Sequence, residues 1–136
     1  MNDNKNIKIF VWIIGILILG TIATVLIQSR NSTPPGPGKY DAFATCLKDK
    51  GVLFYGAFWC PHCQEQEKLL EASRQTLASE GLYVECSTPD AAGQTQVCIN
   101  KKIQSYPTWI FADGSQLNGT IPLQQLADKS SCVLPK

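Results

Sequence analysis

The chain has 136 residues, with 12 Lys and Arg against 11 Asp and Glu for a net charge of +1. That length holds one domain of ordinary size plus an appendage. The near-neutral balance, without a Lys/Arg cluster, excludes a nucleic-acid face, which needs concentrated positive charge. The 6 cysteines in so short a chain point to an oxidising compartment, where disulfides persist.

Residues 1–8 read as a short tail and residues 9–27 as a membrane anchor. The run from 9 to 27 is uncharged and interrupted only by Gly15, Gly20, Thr21 and Thr24. As a helix it spans roughly 28 Å, close to the ~30 Å hydrocarbon core of a bilayer. A buried core helix is a poor alternative, because the run is apolar on every face. A cleaved signal peptide is the stronger rival, but its apolar region is usually ~7–15 residues followed by a small-residue cleavage site. Here the run ends in Val25-Leu26-Ile27-Gln28. An uncleaved single anchor is the reading that fits. Lys5, Lys8 and the terminal amine before it, against Arg30 and Lys39 after it, give a slight bias for a cytoplasmic N-terminus. The cysteines push the same way, placing the C-terminal domain on the periplasmic or cell-surface side.

Residues 28–39 are a Pro/Gly-rich linker without apolar periodicity, long enough to hold a domain up to roughly 35 Å from a membrane. Asn31-Ser32-Thr33 within it matches a glycosylation acceptor. Residues 40–136 form the domain. Phe43, Ala44 and Leu47 predict a helix over 40–50, stopped by Gly51. The apolar run 52–58 predicts a central strand covered on both faces. A helix follows over 64–78, with Leu69, Leu70, Ala72, Ser73 and Leu77 on its buried side and Gly81 after its end. Residues 82–86 read as a second strand and 87–90 as a turn. Residues 94–102 read as a short helix with Val97, Cys98 and Ile99 inward. Residues 108–112 and 115–118 are β runs joined by Asp113-Gly114, a hairpin turn signal. The last helix covers 123–130, entered through Pro122. This order predicts an α/β fold, a mixed sheet of about four strands with helices on both faces. Some 97 residues bury a real but modest core, so covalent ties would help.

The chemistry centres on Trp59-Cys60-Pro61-His62-Cys63, between the apolar strand and the helix. Two cysteines separated by two residues at such a junction make a redox dithiol whose first sulfur lies at a helix N-terminus. The free N–H groups and the positive end of the helix dipole there favour a thiolate. Pro61 suits the first turn, since its φ is preset and its missing N–H is not needed. The competing readings are a structural disulfide or half of a zinc site. Zinc needs a second close pair, and Cys46, Cys86, Cys98 and Cys132 are scattered singly, so no metal is expected. Nor is any cofactor other than the dithiol itself.

These features resemble the thioredoxin superfamily: the strand, the Cys60-Pro61-His62-Cys63 motif at the helix start, Tyr106-Pro107-Thr108 opening a later strand, the Asp113-Gly114 hairpin, and Gly119 before the last helix. The resemblance implies a cis Pro107 facing the dithiol and shaping, with Trp59 and Tyr106, a groove for an incoming peptide. Three segments, 54–64, 83–86 and 105–109, resemble more narrowly the thioredoxin-like domains fused to, or partnered with, bacterial vitamin K epoxide reductase homologues. Those membrane enzymes oxidise the dithiol and pass its electrons to a quinone. With one span in this chain, such a quinone reductase would be a separate partner.

The sequence departs from ordinary thioredoxin at two places. Phe54 stands six residues before the first cysteine, where thioredoxins carry a buried acid that accepts a proton in the reducing direction. The dipeptide between the cysteines is Pro-His, as in the strongly oxidising bacterial periplasmic disulfide donor, and not Gly-Pro. His62 would favour the Cys60 thiolate, and a stabilised reduced form makes the disulfide a better oxidant. The implied reaction is oxidation of substrate protein thiols at Cys60, with Cys63 as the resolving thiol.

With Cys60 and Cys63 assigned, four cysteines remain, open to three pairings. Cys86 and Cys98 flank one turn and one helix and read as facing inward, which leaves Cys46 with Cys132. Either pair is a structural staple or a relay to the dithiol. Three other functions compete: a reductase or isomerase, a non-catalytic thioredoxin-like binding module, and a metal carrier using Cys60, His62 and Cys63.

Overall fold

The computed structural model describes the backbone of residues 3–30 and 38–136, and the side chains of 7–24 and 38–136. Most of the linker expected over 28–39, with the Asn31 acceptor, lies outside the described residues, as do Met1 and Asn2.

Two compact units divide the chain near residue 36. The first is one helix, α1 (Asp3–Arg30), which runs past the expected 9–27 at both ends because its polar flanks are also compatible with a helix. Its stretch Ile7–Thr24 has a mean hydropathy of 2.3 and none of its residues is buried, so it is long and apolar enough to cross a membrane. The hydroxyls within it are satisfied internally. Thr21 Oγ1 donates to the Ile18 carbonyl at 2.8 Å and Thr24 Oγ1 to the Thr21 carbonyl at 2.9 Å, which lowers the cost of placing them in hydrocarbon.

The second unit begins with α2 (Asp41–Asp49), whose Phe43, Ala44 and Leu47 are buried at helical spacing. It continues through β1 (Leu53–Gly56), α3 (Pro61–Leu69), α4 (Arg74–Ser79), β2 (Tyr83–Glu85), α5 (Gln96–Asn100), β3 (Thr108–Ile110), β4 (Gln116–Asn118) and α6 (Leu123–Ser130). The sheet order is β2-β1-β3-β4. β1 and β2 are parallel, with Phe54 opposite Tyr83 and Gly56 opposite Glu85. β3 runs antiparallel to both β1 and β4, giving the expected mixed α/β sheet. At the hairpin, Gly114 takes φ +78° and Asp113 accepts from the Ser115 N–H at 2.9 Å.

Alternation along β1 divides the core. Phe54 stacks on Trp109 with ring centroids 4.7 Å apart and takes the edge of Tyr83 at 5.0 Å. Buried residues of α2, α3, α4 and α6 share its cluster. Tyr55, on the other side, packs with Cys86, Cys98 and Ile103 in a smaller group under α5.

Three expectations need correction. The helix read over 64–78 is two helices. Glu71 takes φ +51°, and Ser73 caps α4 by accepting from the Thr76 N–H at 3.2 Å, so Ser73 serves as a cap and stays outside the core. Leu69 is consequently exposed while Leu70 and Leu77 are buried. On α5 only Cys98 is buried, and Val97 and Ile99 lie outward, because five residues make little more than one turn and present one inward position. The strands are also shorter than the apolar runs that contain them.

Two disulfides tie the unit. Cys46–Cys132 joins α2 to the segment after α6 across 86 residues, and Cys86–Cys98 joins the end of β2 to α5 across 12. Because loop-closure entropy grows with loop length, the Cys46→Ser/Cys132→Ser double variant should lose about 4–5 kcal/mol and the Cys86→Ser/Cys98→Ser variant about 3 kcal/mol. Urea unfolding of the two variants checks both the size and the order.

Candidate active site

The site forms where β1 hands the chain to α3. After Gly56 the backbone turns, with the Cys60 N–H donating to the Ala57 carbonyl at 2.9 Å. Cys60 is the N-cap residue of α3, in extended conformation (φ −78°, ψ 120°), and Pro61 is the first helical residue. No side chain caps this helix, so its first-turn N–H groups are available to negative charge arising at Cys60.

Both thiols are free, and they differ in surroundings. The Cys60 residue keeps 5 % of its surface and Cys63 none. The Cys60 thiol donates to the Tyr106 carbonyl at 3.6 Å, which brings the loop before β3 against the dithiol; the Tyr106–Pro107 peptide bond is cis. Trp59 is half exposed. Its ring meets the edge of Tyr106 at 6.0 Å, and its Nε1 donates to Ser87 Oγ at 2.9 Å. Gln94 Nε2 donates to the Tyr106 hydroxyl at 2.7 Å. Trp59, Cys60 and Tyr106 therefore lie together on one side of the motif, with Pro107 next in the chain. His62 is elsewhere: its Nδ1 lies 3.5 Å from Glu65 Oε2, both side chains exposed, so its ring meets a carboxylate and not the Cys60 sulfur. Among the described residues no cluster of three or more His, Cys, Asp or Glu is arranged to hold a metal.

The Cys63 sulfur points down onto the sheet. A Cβ built on Gly56 would lie 3.0 Å from it, 2.8 Å from Tyr83 Cε2 and 3.1 Å from the Tyr83 hydroxyl. Only glycine at position 56 lets these atoms share that space. Burial pushes the Cys63 thiol up to about 12, with its hydrogen bond to Cys60 and the charges of Cys60 and Glu67 adding, and a hydrogen bond from Ala57 opposing. Tyr83 is also held above the ordinary phenol range, first by burial and then by Glu85.

A group of polar residues that sequence reasoning missed surrounds this buried sulfur. The Tyr83 hydroxyl donates to Glu85 Oε2 at 3.0 Å. Glu85 Oε1 accepts from the Phe58 and Ser87 N–H groups at 3.2 and 2.9 Å. Arg74 Nε lies 4.0 Å from Glu85 Oε2, and its guanidinium sits 5.9 Å from the Phe58 ring centre. Glu67, one turn beyond Cys63 on α3, has its pKa raised by burial against the pull of Arg74, and its Oε1 is buried without a partner. The i, i+4 spacing of Cys63 and Glu67, and the same-face pair Tyr83 and Glu85 on a strand, are the sequence signals that mark them. Gln66 was also missed. Fully buried, it donates to the Ile121 carbonyl at 3.1 Å and accepts the Ile121 N–H at 2.7 Å, clamping α3 to the chain before α6.

The family model described as Thioredoxin matches residues 38–130. The chain is 38% identical over 96 residues to the thiol-disulfide oxidoreductase LTO1 of Arabidopsis thaliana, covering 68% of this chain and 24% of that protein. It is 30% identical over 98 residues to a thioredoxin domain-containing protein 5 homolog of Drosophila melanogaster, covering 66% and 23%. The chain thus spans roughly a quarter of the length of these curated relatives.

In a Cys60→Ser variant, burial remains the largest influence on Cys63. Alkylation of folded Cys63 by iodoacetamide at neutral pH should be slower than in the same variant unfolded in urea, on the order of a hundredfold or more. It should climb with pH toward about 12.

Proposed function

The chain belongs to the thioredoxin family, and from that premise we propose that it is a membrane-anchored, extracytoplasmic thiol-disulfide oxidoreductase that oxidises the thiols of substrate proteins. The observation that carries this reading is the asymmetry of the dithiol. Cys60 sits at the mouth of α3 beneath a half-exposed Trp59 and against the Tyr106 carbonyl, while Cys63 is fully buried one turn behind it.

Starting from the Cys60–Cys63 disulfide, a substrate thiolate attacks the Cys60 sulfur. A mixed disulfide forms, and Cys63 leaves with the electron pair and takes up a proton. A second substrate thiolate then attacks the substrate sulfur, and Cys60 leaves as a thiolate at the N-terminus of α3, where the helix dipole stabilises it. The substrate is oxidised by two electrons and the dithiol is reduced. Reoxidation needs a disulfide-bearing or quinone-linked oxidant, and the resemblance of segments 54–64, 83–86 and 105–109 favours a membrane quinone reductase of the vitamin K epoxide reductase type. The oxidising direction is supported by Phe54, where thioredoxins carry a buried acid, and by the likeness of the Pro61-His62 dipeptide to that of a strongly oxidising disulfide donor, although the His62 ring itself lies against Glu65. Anchoring is supported by α1, which is long and apolar enough to span a bilayer.

Trapping in cells tests the whole reading. A Cys63→Ala variant should accumulate proteins disulfide-linked to Cys60, a multi-span membrane protein among them, and adding Cys60→Ser should abolish every adduct. The reduction potential separates the directions. A value more oxidising than roughly −200 mV supports the oxidase, and one near −270 mV supports a reductase. Absence of adducts supports a non-catalytic binding module.

A further inference from the structure

Either direction of the reaction needs a proton moved at a sulfur with no solvent contact. Cys63 has none of its surface exposed, and Phe54 removes the acid that the strand beneath it would otherwise supply. The neighbouring strand supplies other groups. The Tyr83 hydroxyl and the Cys63 sulfur converge on the space left open by Gly56, at 3.1 and 3.0 Å from the same point. The hydroxyl in turn donates to Glu85 Oε2 at 3.0 Å, and Glu85 is partly open to solvent.

Building on the proposed oxidoreductase function, we propose that Tyr83 and Glu85 form the proton relay of Cys63, replacing an acid on β1 with an acid on β2 reached through a phenol. When Cys63 resolves a mixed disulfide on Cys60, its sulfur bonds to the Cys60 sulfur and the Cys60–S–S–R bond breaks. The departing thiolate takes the electron pair. The Cys63 proton passes to the Tyr83 oxygen as the Tyr83 proton passes to Glu85, whose open side hands it to water. No electrons are gained or lost beyond those exchanged between the sulfurs. When Cys63 is the leaving group the same path runs backward and returns a proton to it.

The charged and titratable groups around the path are Cys60 and Glu67 from α3, Arg74 from α4, and Tyr83 and Glu85 themselves. Arg74, 4.0 Å from Glu85 Oε2, anchors the carboxylate. The two N–H groups on Glu85 Oε1 leave Oε2 facing the phenol. Glu67 also lies one turn from Cys63, but no hydrogen bond joins it to Tyr83 among the described residues, and Tyr83, packed beside the sulfur at Gly56, has one to Glu85. The relay is therefore assigned to β2.

The test uses the full reduced chain in detergent, both structural disulfides intact, mixed with 5,5′-dithiobis(2-nitrobenzoate) in a stopped-flow cell. The first thionitrobenzoate released reports attack by Cys60 and depends on reagent concentration; the second reports resolution by Cys63 and does not. In Tyr83→Phe and Glu85→Gln the second phase should slow on the order of a hundredfold at pH 7, the size expected of a lost proton-transfer partner. It should then rise in proportion to hydroxide, a dependence that a change in packing alone would not create, and Glu85→Asp should recover part of the rate. A second phase of wild-type rate and pH profile in Tyr83→Phe overturns the relay. So does a loss that follows Glu67→Gln and spares the β2 variants. Absence of the first phase in the unmodified chain is a separate outcome, which overturns the oxidoreductase reading and the relay with it.

Discussion

The site depends on a missing side chain. Gly56, at the end of the central strand, leaves just enough room for α3 to seat Cys63 against the sheet beside Tyr83, and a methyl group there would overlap both neighbours. In a close-packed interior such an overlap is relieved by moving the helix or the ring, at a typical cost of ~1–3 kcal/mol. The N-terminus of α3 rides on that contact. The position of Cys60, its distance to the Tyr106 carbonyl and the exposure of Trp59 all follow from how deeply the helix is seated.

The remaining ties hold the parts that must face each other. Gln66 fixes the inner face of α3 to Ile121 through two hydrogen bonds. In a fully buried amide, loss of either partner would leave an unsatisfied group worth ~1–3 kcal/mol. On the opposite face of the sheet, Cys86–Cys98 and Gln94, which reaches both the Ile103 carbonyl and the Tyr106 hydroxyl, secure the loop that presents Tyr106 to Cys60. Cys132 shares the main buried cluster with Cys60 and Cys63, and Cys86 and Cys98 lie in the smaller one on the other side of the sheet. One disulfide ties the first helix of the second unit to its C-terminal segment, and the other braces the region before β3.

Much of this was legible in the residues. Apolar runs and punctuation located every strand and, apart from the division of 64–78 into α3 and α4, every helix of the second unit, and the paired cysteines before a helix-forming stretch located the two free thiols. What escaped was local competition and lateral contact. Ser73 looked like part of a helical face, yet Ser73 and Thr76 make a capping pair that starts a new helix after Glu71 reverses. Val97 and Ile99 looked inward because they flank Cys98, but a helix of one turn has a single buried position. Glu67, Arg74, Tyr83 and Glu85 looked like ordinary surface and strand residues. They become a set only when parallel pairing places Glu85 opposite Gly56, a relation between two strands that no single stretch of sequence contains.

The two sulfurs therefore meet opposite demands in one turn of helix. Under the proposed function Cys60 carries and releases negative charge, and it sits at the N-terminus of α3. Cys63 is held as a neutral thiol, its pKa pushed up to about 12 mainly by burial, and a neutral thiol packs as a small apolar group. A buried acid whose folded pKa lies above the ordinary value of 9.0 adds stability at and below neutral pH, and loses it as pH climbs from about 9 toward 12. Reduction thus leaves a well-packed neutral thiol against the central strand, beside Tyr83. The same burial slows Cys63 as a nucleophile unless something takes its proton. Under the proposed relay, the path through Tyr83 and Glu85 therefore sets how fast Cys63 can close the disulfide.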